Sequence, residues 1–210
     1  MKKTKPRGNL FVVSAPSGAG KTTLCQRLTE TLNGIRHSTS YTTRPPRKGE
    51  INDRDYTFVS KEEFKSMAKK GEFAEWARVH DSLYGTSRER LEAMLDEPVD
   101  VILDIDVKGA SKIRNLYEDA VYIFVLPPTH RDLRRRLEQR MCNSSEEIQV
   151  RLKTALREIK EYKKYDYVIV NKVFDEALRQ LQSIVISERL CSSNIDPSWV
   201  RRNLTIKEKG

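Results

Sequence analysis

A turn of small residues leads directly into the pair Lys21 and Thr22 near the start of the chain. A short apolar run precedes this turn and a longer amphipathic run follows it, so we expect the turn to join a strand to a helix. Backbone N–H groups of such a turn can surround phosphate oxygens when no bulky side chain blocks the approach. In that arrangement Lys21 would bridge the β- and γ-phosphates of a nucleoside triphosphate, and Thr22 would ligate Mg²⁺.

The spacing matches the phosphate-loop pattern, although Ala15 stands where the pattern usually has its first glycine. A turn of this composition can also be a tight connection that binds nothing. The strand-to-helix context and the Lys-Thr pair favour a triphosphate site. We expect this site to include Ala15, Pro16, Ser17, Gly18, Ala19, Gly20, Lys21, Thr22 and Thr23.

A second buried run, residues 99–105, carries Asp104 near its end and is followed by Asp106. Carboxylates at a strand end can simply cap a helix, but the upstream phosphate loop favours a role with a metal. Asp104 is therefore predicted to bind Mg²⁺ directly or through water. A nucleoside triphosphate and Mg²⁺ as cofactor are the ligands that these residues indicate.

Two arginines, Arg44 and Arg47, lie three residues apart in a loop that two prolines stiffen. The guanidinium fork matches phosphate oxygens, and a rigid loop reduces the entropy lost on binding. The loop therefore predicts a second phosphate site, although a basic turn of this kind can also be merely solvated. Further along, Glu75-Trp76 and residues 83–87 add a carboxylate, a phenol and hydroxyls.

The phosphate loop, residues 42–50, Glu75-Trp76, Tyr84-Gly85 and residues 102–106 together resemble the guanylate kinase family in order and spacing. The resemblance covers nearly the whole chain to about Leu190. It implies an ATP:GMP phosphotransferase that uses ATP as phosphate donor with Mg²⁺ and makes ADP and GDP, with dGMP as a further conceivable acceptor. It implies that the GMP phosphate is held by Arg44, Arg47, Tyr56 and Tyr84, and that guanine is faced by Ser40, Glu75, Thr86 and Asp106.

The chemistry of guanine suits this assignment. Its N1–H and 2-amino group are adjacent donors, so an ionised carboxylate such as Glu75 can accept from both. Adenine would instead set an acceptor against that carboxylate, and a buried polar group without a partner gives strong discrimination.

The segment 130–140 is rich in arginine, and the next predicted helix adds Arg151. In a lid closing over ATP, such guanidiniums would neutralise charge on the transferring phosphoryl group. The resemblance implies this role for Arg136, Arg140 and Arg151, which complete a catalytic set with Lys21 and Arg44, and it puts Asn171 near the adenine. Met141 stands where the family often has glycine, which bears on lid motion and on the placement of Arg140.

Short apolar runs alternate with longer amphipathic ones, which indicates an α/β fold of the P-loop NTPase type, a mainly parallel sheet flanked by helices. The predicted central strands are residues 10–14, 99–105, 121–126 and 167–170, each nearly continuous in apolar residues as a strand buried on both faces should be. The predicted helices are residues 22–32, 61–70, 88–95, 109–117, 130–140, 145–162 and 175–190.

These elements divide the chain into a core, a small inserted monophosphate-binding lobe of antiparallel character and a helical lid. The expected divisions are core 1–36 with the phosphate loop, GMP-binding lobe 37–88, core 89–129, lid region 130–156, core 157–191 and tail 192–210. The tail is polar and basic with a lone Trp199, and we expect it to be frayed or loosely docked.

Composition sets wider limits. The net charge of +9 over 210 residues suggests an anionic partner, either nucleic acid, a membrane surface or nucleotides. The three cysteines Cys25, Cys142 and Cys191 show no paired spacing, and the first apolar run is too short for a signal peptide or a membrane span. The sequence thus indicates a cytoplasmic enzyme with small-molecule partners, neither nucleic acid nor membrane, while its oligomeric state stays open.

Three alternatives stay open at this point. A related kinase could phosphorylate another acceptor, such as a ribose bisphosphate. A guanylate-kinase-like domain could have lost catalysis and bind proteins, although the complete phosphate loop speaks against this. A nucleic-acid-dependent NTPase would suit the charge, but the sequence contains no recognisable RNA-binding motif.

Overall fold

The computed structural model describes residues 8–79, 81–139 and 145–204. The strands within these ranges are β1 (Leu10–Ser14), β2 (Ile35–His37), β3 (Tyr41–Thr42), β4 (Thr57–Phe58), β5 (Phe73–Val79), β6 (Ser82–Ser87), β7 (Asp100–Asp104), β8 (Val121–Leu126) and β9 (Tyr167–Val170). The helices are α1 (Lys21–Thr31), α2 (Lys61–Lys69), α3 (Arg88–Leu95), α4 (Val107–Arg114), α5 (His130–Gln139), α6 (Ser145–Ile159), α7 (Phe174–Arg189) and α8 (Pro197–Leu204).

The central sheet has the strand order β2-β7-β1-β8-β9, and each of its pairs is parallel. The α/β prediction is confirmed. The central sheet has five strands and not the predicted four, because Ile35–His37 forms an additional edge strand. Only Ile35 of these residues is apolar and buried, so no apolar run marked the strand in the sequence. His37 pairs with Ile102 and thus belongs to the central sheet and not to the lobe.

Helices cover both faces of this sheet. On one face, α1 and α7 pack through Leu24, Leu28 and Leu181. On the other face, α3 and α4 pack through Leu91 and Ile113. Because the sheet is buried on both sides, its inner strands consist almost wholly of apolar residues, and this explains why those strands were predictable.

The inserted lobe forms a second sheet with the order β4-β3-β6-β5. Two of its pairings, β3 with β6 and β5 with β6, are antiparallel, as predicted, while β3 and β4 are parallel. A register shift between Phe73 and Glu75 interrupts β5. This irregularity leaves Phe73, Ala74 and Glu75 all buried, where a regular strand would alternate.

Several helix boundaries differ from the predicted ones. Helix α4 begins at Val107, since the Asp106 side chain accepts from Gly109 N at 2.7 Å, and it ends at Arg114. Helix α6 ends at Ile159 and continues as a 3₁₀ segment, Lys160–Lys164. Ser60 caps the start of α2, as its Oγ accepts from Glu63 N at 3.0 Å.

The tail contains more structure than predicted. Helix α8 follows a 3₁₀ turn, Ser192–Asn194, whose Asn194 amide donates to the Glu188 carbonyl at 2.7 Å. Trp199 on α8 is 50% exposed. Among the residues described here, none of the helices combines the length and apolarity needed to cross a bilayer.

A buried carboxylate ties the last core helix to the sheet, and it provides a test of the packing. Asp100 accepts from Asn9 N at 2.8 Å and from Arg189 Nε at 2.7 Å. We expect Asp100→Ala to lower the free energy of unfolding by roughly 2–3 kcal/mol, because a partly buried guanidinium and an N–H lose a charged partner. Urea denaturation measures this loss. Arg27→Ala, which breaks an exposed pair with Glu30, should change it by less than about 0.5 kcal/mol; equal losses in both variants would contradict the assignment.

Candidate active site

The phosphate loop runs from the end of β1 to the start of α1 with two glycines in the left-handed region. Gly18 has φ 91° and Gly20 has φ 90°, a conformation that residues with a Cβ rarely adopt. A Cβ on Gly20 would also lie 2.6 Å from Asn171 Nδ2. The loop therefore needs glycine at this position for both backbone and packing reasons.

Two side chains from distant parts of the chain brace the loop. Asn171 is buried after β9, and its amide donates to the Ala19 carbonyl at 2.8 Å. Arg136 on α5 donates to the same carbonyl at 3.2 Å and to the Asn171 carbonyl at 3.0 Å. Asn171 and Arg136 thus hold the loop's shape, and their predicted contacts with adenine and the transferring phosphoryl group stay predictions.

Lys21 is held by two groups at the end of β7. Its Nζ pairs with Asp104 and donates to the Ile105 carbonyl at 2.9 Å. Burial by itself would raise the pKa of Asp104, but Lys21 and Thr22 outweigh it and hold the pKa below its usual value. Asp104 is therefore ionised at neutral pH beside the phosphate loop.

Thr22 and Asp104 are also the predicted Mg²⁺ ligands, and their chemistry fits this role. A hydroxyl and an ionised carboxylate lie next to each other. Within the described ranges, no group of three or more His, Cys, Asp or Glu side chains is arranged around a common ion position. The pair suits Mg²⁺ that takes its remaining ligands from phosphates and water, as Mg²⁺ usually does.

A cleft of about 410 Å³ connects the phosphate loop to the inserted lobe. It brings together eleven of the predicted site residues, namely Lys21, Thr22, Thr23, Ser40, Arg44, Arg47, Tyr56, Glu75, Tyr84, Asp104 and Asp106. Two of the predicted lid arginines are not among them. Arg151 lies half-buried on α6, and Arg140 falls outside the described residues.

The Arg44 guanidinium is fixed by a carboxylate that the sequence prediction did not single out. It donates to both oxygens of Glu50 at 2.7 and 3.0 Å, and Glu50 also accepts from Arg47 N at 2.6 Å. The pair raises the pKa of Arg44 and lowers that of Glu50. The arginine loop is thus preorganised, with its charge directed by an ion pair.

Two tyrosines complete this end of the cleft. The Arg44 guanidinium lies 5.4 Å from the centre of the Tyr56 ring, and the Tyr56 and Tyr84 rings meet edge-on with centroids 6.0 Å apart. Burial raises the pKa of Tyr56 to about 12, so its phenol stays a hydrogen-bond donor at neutral pH.

Glu75 projects into the other end of the cleft and is only 5% exposed. Burial raises its pKa to about 7, while the Thr86 hydroxyl, which donates to Glu75 at 2.8 Å, lowers it and Asp106 raises it. Thr86 is fully buried, so its hydroxyl contacts Glu75 from the protein interior.

Gly109 was missed as a site residue. A Cβ at this position would lie 2.7 Å from Glu75 Oε2 and 3.2 Å from Asp106 Oδ1. The first turn of α4 can therefore pass close to both carboxylates only with glycine there. Gly109 was visible in the sequence as a glycine at the start of a predicted helix, but its neighbour Glu75 lies in another segment.

The raised pKa of Glu75 predicts a pH-dependent stability effect. The folded state holds the Glu75 proton more tightly than the unfolded state, so this stabilisation is complete below about pH 4.5 and is lost as the pH rises through about 7. A glutamine side chain at this position would keep an acceptor for Thr86 without a charge. We therefore expect Glu75→Gln to raise the Tm of the nucleotide-free protein at pH 8 and to change it little at pH 4.5.

Thermal unfolding at both pH values, with the exposed Glu118→Gln as control, measures this difference. A Tm gain of the same size at pH 4.5 and pH 8 would show that ionisation of Glu75 does not destabilise the folded protein.

The comparisons with known proteins agree with this geometry. The model of the guanylate kinase family matches residues 7–188. The guanylate kinase of Geobacter metallireducens is 51% identical over 185 residues, which cover 88% of this chain and 91% of the relative. That of Geobacter sulfurreducens is 48% identical over 191 residues, covering 91% and 94%. The crystal structure of guanylate kinase from Anaplasma phagocytophilum matches with a TM-score of 0.78 at 34% identity, covering 97% of this chain and 98% of the other. The chain belongs to the guanylate kinase family.

Proposed function

We propose that this chain transfers the γ-phosphate of ATP to GMP and releases ADP and GDP. Membership in the guanylate kinase family supports this activity. The observation that carries it is the single cleft in which the phosphate-loop Lys21 faces the lobe residues Arg44 and Glu75. One nucleotide can be held at each end, so that donor and acceptor phosphates meet between them.

The donor end would bind the ATP triphosphate through the loop N–H groups and Lys21. For this, Lys21 turns from Asp104 toward the β- and γ-phosphates. Mg²⁺, held by Thr22 and Asp104, would supply positive charge to the phosphates when it is bound. The braces from Arg136 and Asn171 keep the loop open, so little rearrangement of the backbone is needed.

The acceptor end would bind the GMP phosphate through Arg44, Arg47, Tyr56 and Tyr84. Guanine would lie against Glu75 and Asp106, with Ser40 and Thr86 completing the set. An ionised Glu75 accepts the two adjacent guanine donors, and these donors offset the burial that holds its pKa near 7. Adenine offers no such pair, so the site discriminates by leaving a buried carboxylate without partners.

The transfer itself needs positioning and charge neutralisation more than acid–base chemistry. The GMP phosphate is already an anionic nucleophile at neutral pH, so no general base is required. Lys21 and Arg44 would flank the reacting phosphates, and Arg136, Arg140 and Arg151 would add positive charge from the lid side. We place the enzyme in the cytoplasm, where Cys25 and Cys191, both free thiols, would stay reduced.

A coupled assay of ADP formation with ATP and Mg²⁺ tests the proposal. GMP, AMP, CMP, UMP, dTMP and a ribose bisphosphate are offered separately, and DNA and RNA are added as stimulators in parallel. We expect turnover with GMP, and Lys21→Ala should lower it by at least about a thousandfold, since Lys21 contacts the transferred phosphate.

Each other outcome selects a different function. Turnover with another acceptor would keep the phosphate-loop kinase but reject the guanine site. Stimulation by nucleic acid without GMP would favour a nucleic-acid-dependent NTPase. A folded protein that binds ATP and phosphorylates none of the acceptors would be a binding domain.

Gly109→Ala tests the guanine site through its packing. The new Cβ displaces the Glu75 carboxylate, whose oxygen lies only 2.7 Å from its position. We expect the KM for GMP to rise about tenfold, the equivalent of one lost or weakened charged hydrogen bond, while the KM for ATP stays unchanged. Steady-state kinetics at pH 8 measures both constants. An equal rise in both would point to a general disturbance of α4 and not to the guanine site.

A further inference from the structure

A carboxylate from the lid-side helix α6 reaches the phosphate loop. Glu158 lies one residue before the end of α6, 141 positions from Ser17. Its Oε2 accepts from Ser17 N at 3.4 Å, and the side chain is half-buried. None of the other contacts described above for the site involves Glu158.

Anions are the ligands for which this loop is built. Its N–H groups and Lys21 attract negative charge, and a carboxylate oxygen is the protein group most similar to a phosphate oxygen. Burial raises the pKa of Glu158, the bond from Ser17 opposes this, Asp106 raises the pKa further, and Lys21 and Lys108 lower it. The Glu158 carboxyl is therefore partly removed from water and lies near the charged groups around the loop.

The same pattern holds for the loop's cation. Lys21 is paired with Asp104 and donates to the Ile105 carbonyl. In the nucleotide-free protein, both the N–H of Ser17 and the ammonium of Lys21 therefore have protein oxygens as partners. A bound triphosphate brings its own oxygens and its own negative charge to this loop, and Glu158 would be repelled from it.

We propose that Glu158 is an internal competitor of ATP, whose carboxylate occupies the phosphate loop at Ser17 in the nucleotide-free protein and leaves when the triphosphate binds. The inference rests on the proposed function only in taking this loop as the triphosphate site. The contact lowers the apparent affinity for ATP by the fraction of molecules in which it is formed.

The displacement of Glu158 also links ATP binding to the lid. Leu152 and Ala155 of α6 pack against Leu133 and Leu137 of α5, so the two helices form one unit. Arg151 lies seven residues before Glu158, two turns along the same helix. Release of Glu158 therefore removes one contact between the loop and the helix pair that carries Arg136 and Arg151, while the bond from Arg136 to the Ala19 carbonyl is a separate contact.

The direction in which Glu158→Gln changes the affinity for ATP tests the competition. Glutamine keeps the size of the side chain but removes the charge that opposes the triphosphate. We expect the Kd for MgATP, measured by calorimetry without GMP, to fall about three- to tenfold, as it should if the contact is formed in roughly 70–90% of molecules. Glu158→Asp, whose carboxylate is one methylene too short to reach Ser17, should also tighten binding and serves if Glu158→Gln fails to fold.

Glu161→Gln is the matched control. Glu161 is on the adjoining 3₁₀ segment and pairs with Lys164, away from the loop, so the Kd of this variant for ATP should not change. An unchanged or higher Kd in both Glu158 variants would overturn the proposal, since a residue that merely supports the loop weakens binding when it is replaced. GMP phosphorylation by the unmodified protein is measured separately, so failure of the competition would leave the proposed reaction standing.

Discussion

The structure of the site depends on the fixed shape of the phosphate loop. Its N–H groups can face an anion only because Gly18 and Gly20 adopt a left-handed backbone. The Ala19 carbonyl of the loop accepts from Asn171 and Arg136, which come from two distant parts of the chain. The parallel sheet makes this possible, because β1 lies beside β8 and β8 beside β9, so their carboxyl ends meet at the loop.

Carboxylates pair with the groups that are predicted to bind the substrate phosphates. Glu50 holds Arg44, Asp104 holds Lys21, and Glu158 accepts from Ser17. A cluster of unpaired buried cations would cost much free energy in the absence of nucleotides. The protein's own carboxylates offset this cost in the nucleotide-free state. Under the proposed function, nucleotide binding would replace these ionic partners with phosphates.

At Glu75, by contrast, the unfavourable effect of burial outweighs the favourable contacts. Its burial near Asp106 favours the protonated form, and the bond from Thr86 only partly offsets this. A carboxylate in such surroundings destabilises the nucleotide-free protein at neutral pH, and under the proposed function it would gain two further hydrogen-bond donors when guanine binds. Under the proposed function, selectivity for guanine and stability of the empty site would therefore be in conflict at this residue, as is common where function fixes a side chain.

The sequence by itself determined the α/β fold, the phosphate loop and the four most apolar strands, because each depends on residues that are neighbours in the chain. It also placed Arg44 and Glu75 in one lobe. Only the tertiary structure decided which distant groups touch. It showed that Ile35–His37 joins the central sheet by backbone pairing with β7, which its composition did not reveal. It also set Gly109 against Glu75 and Arg136 against Ala19, across 34 and 117 positions of chain. Such contacts depend on how the elements pack, and the spacing of residues along the chain does not determine that packing.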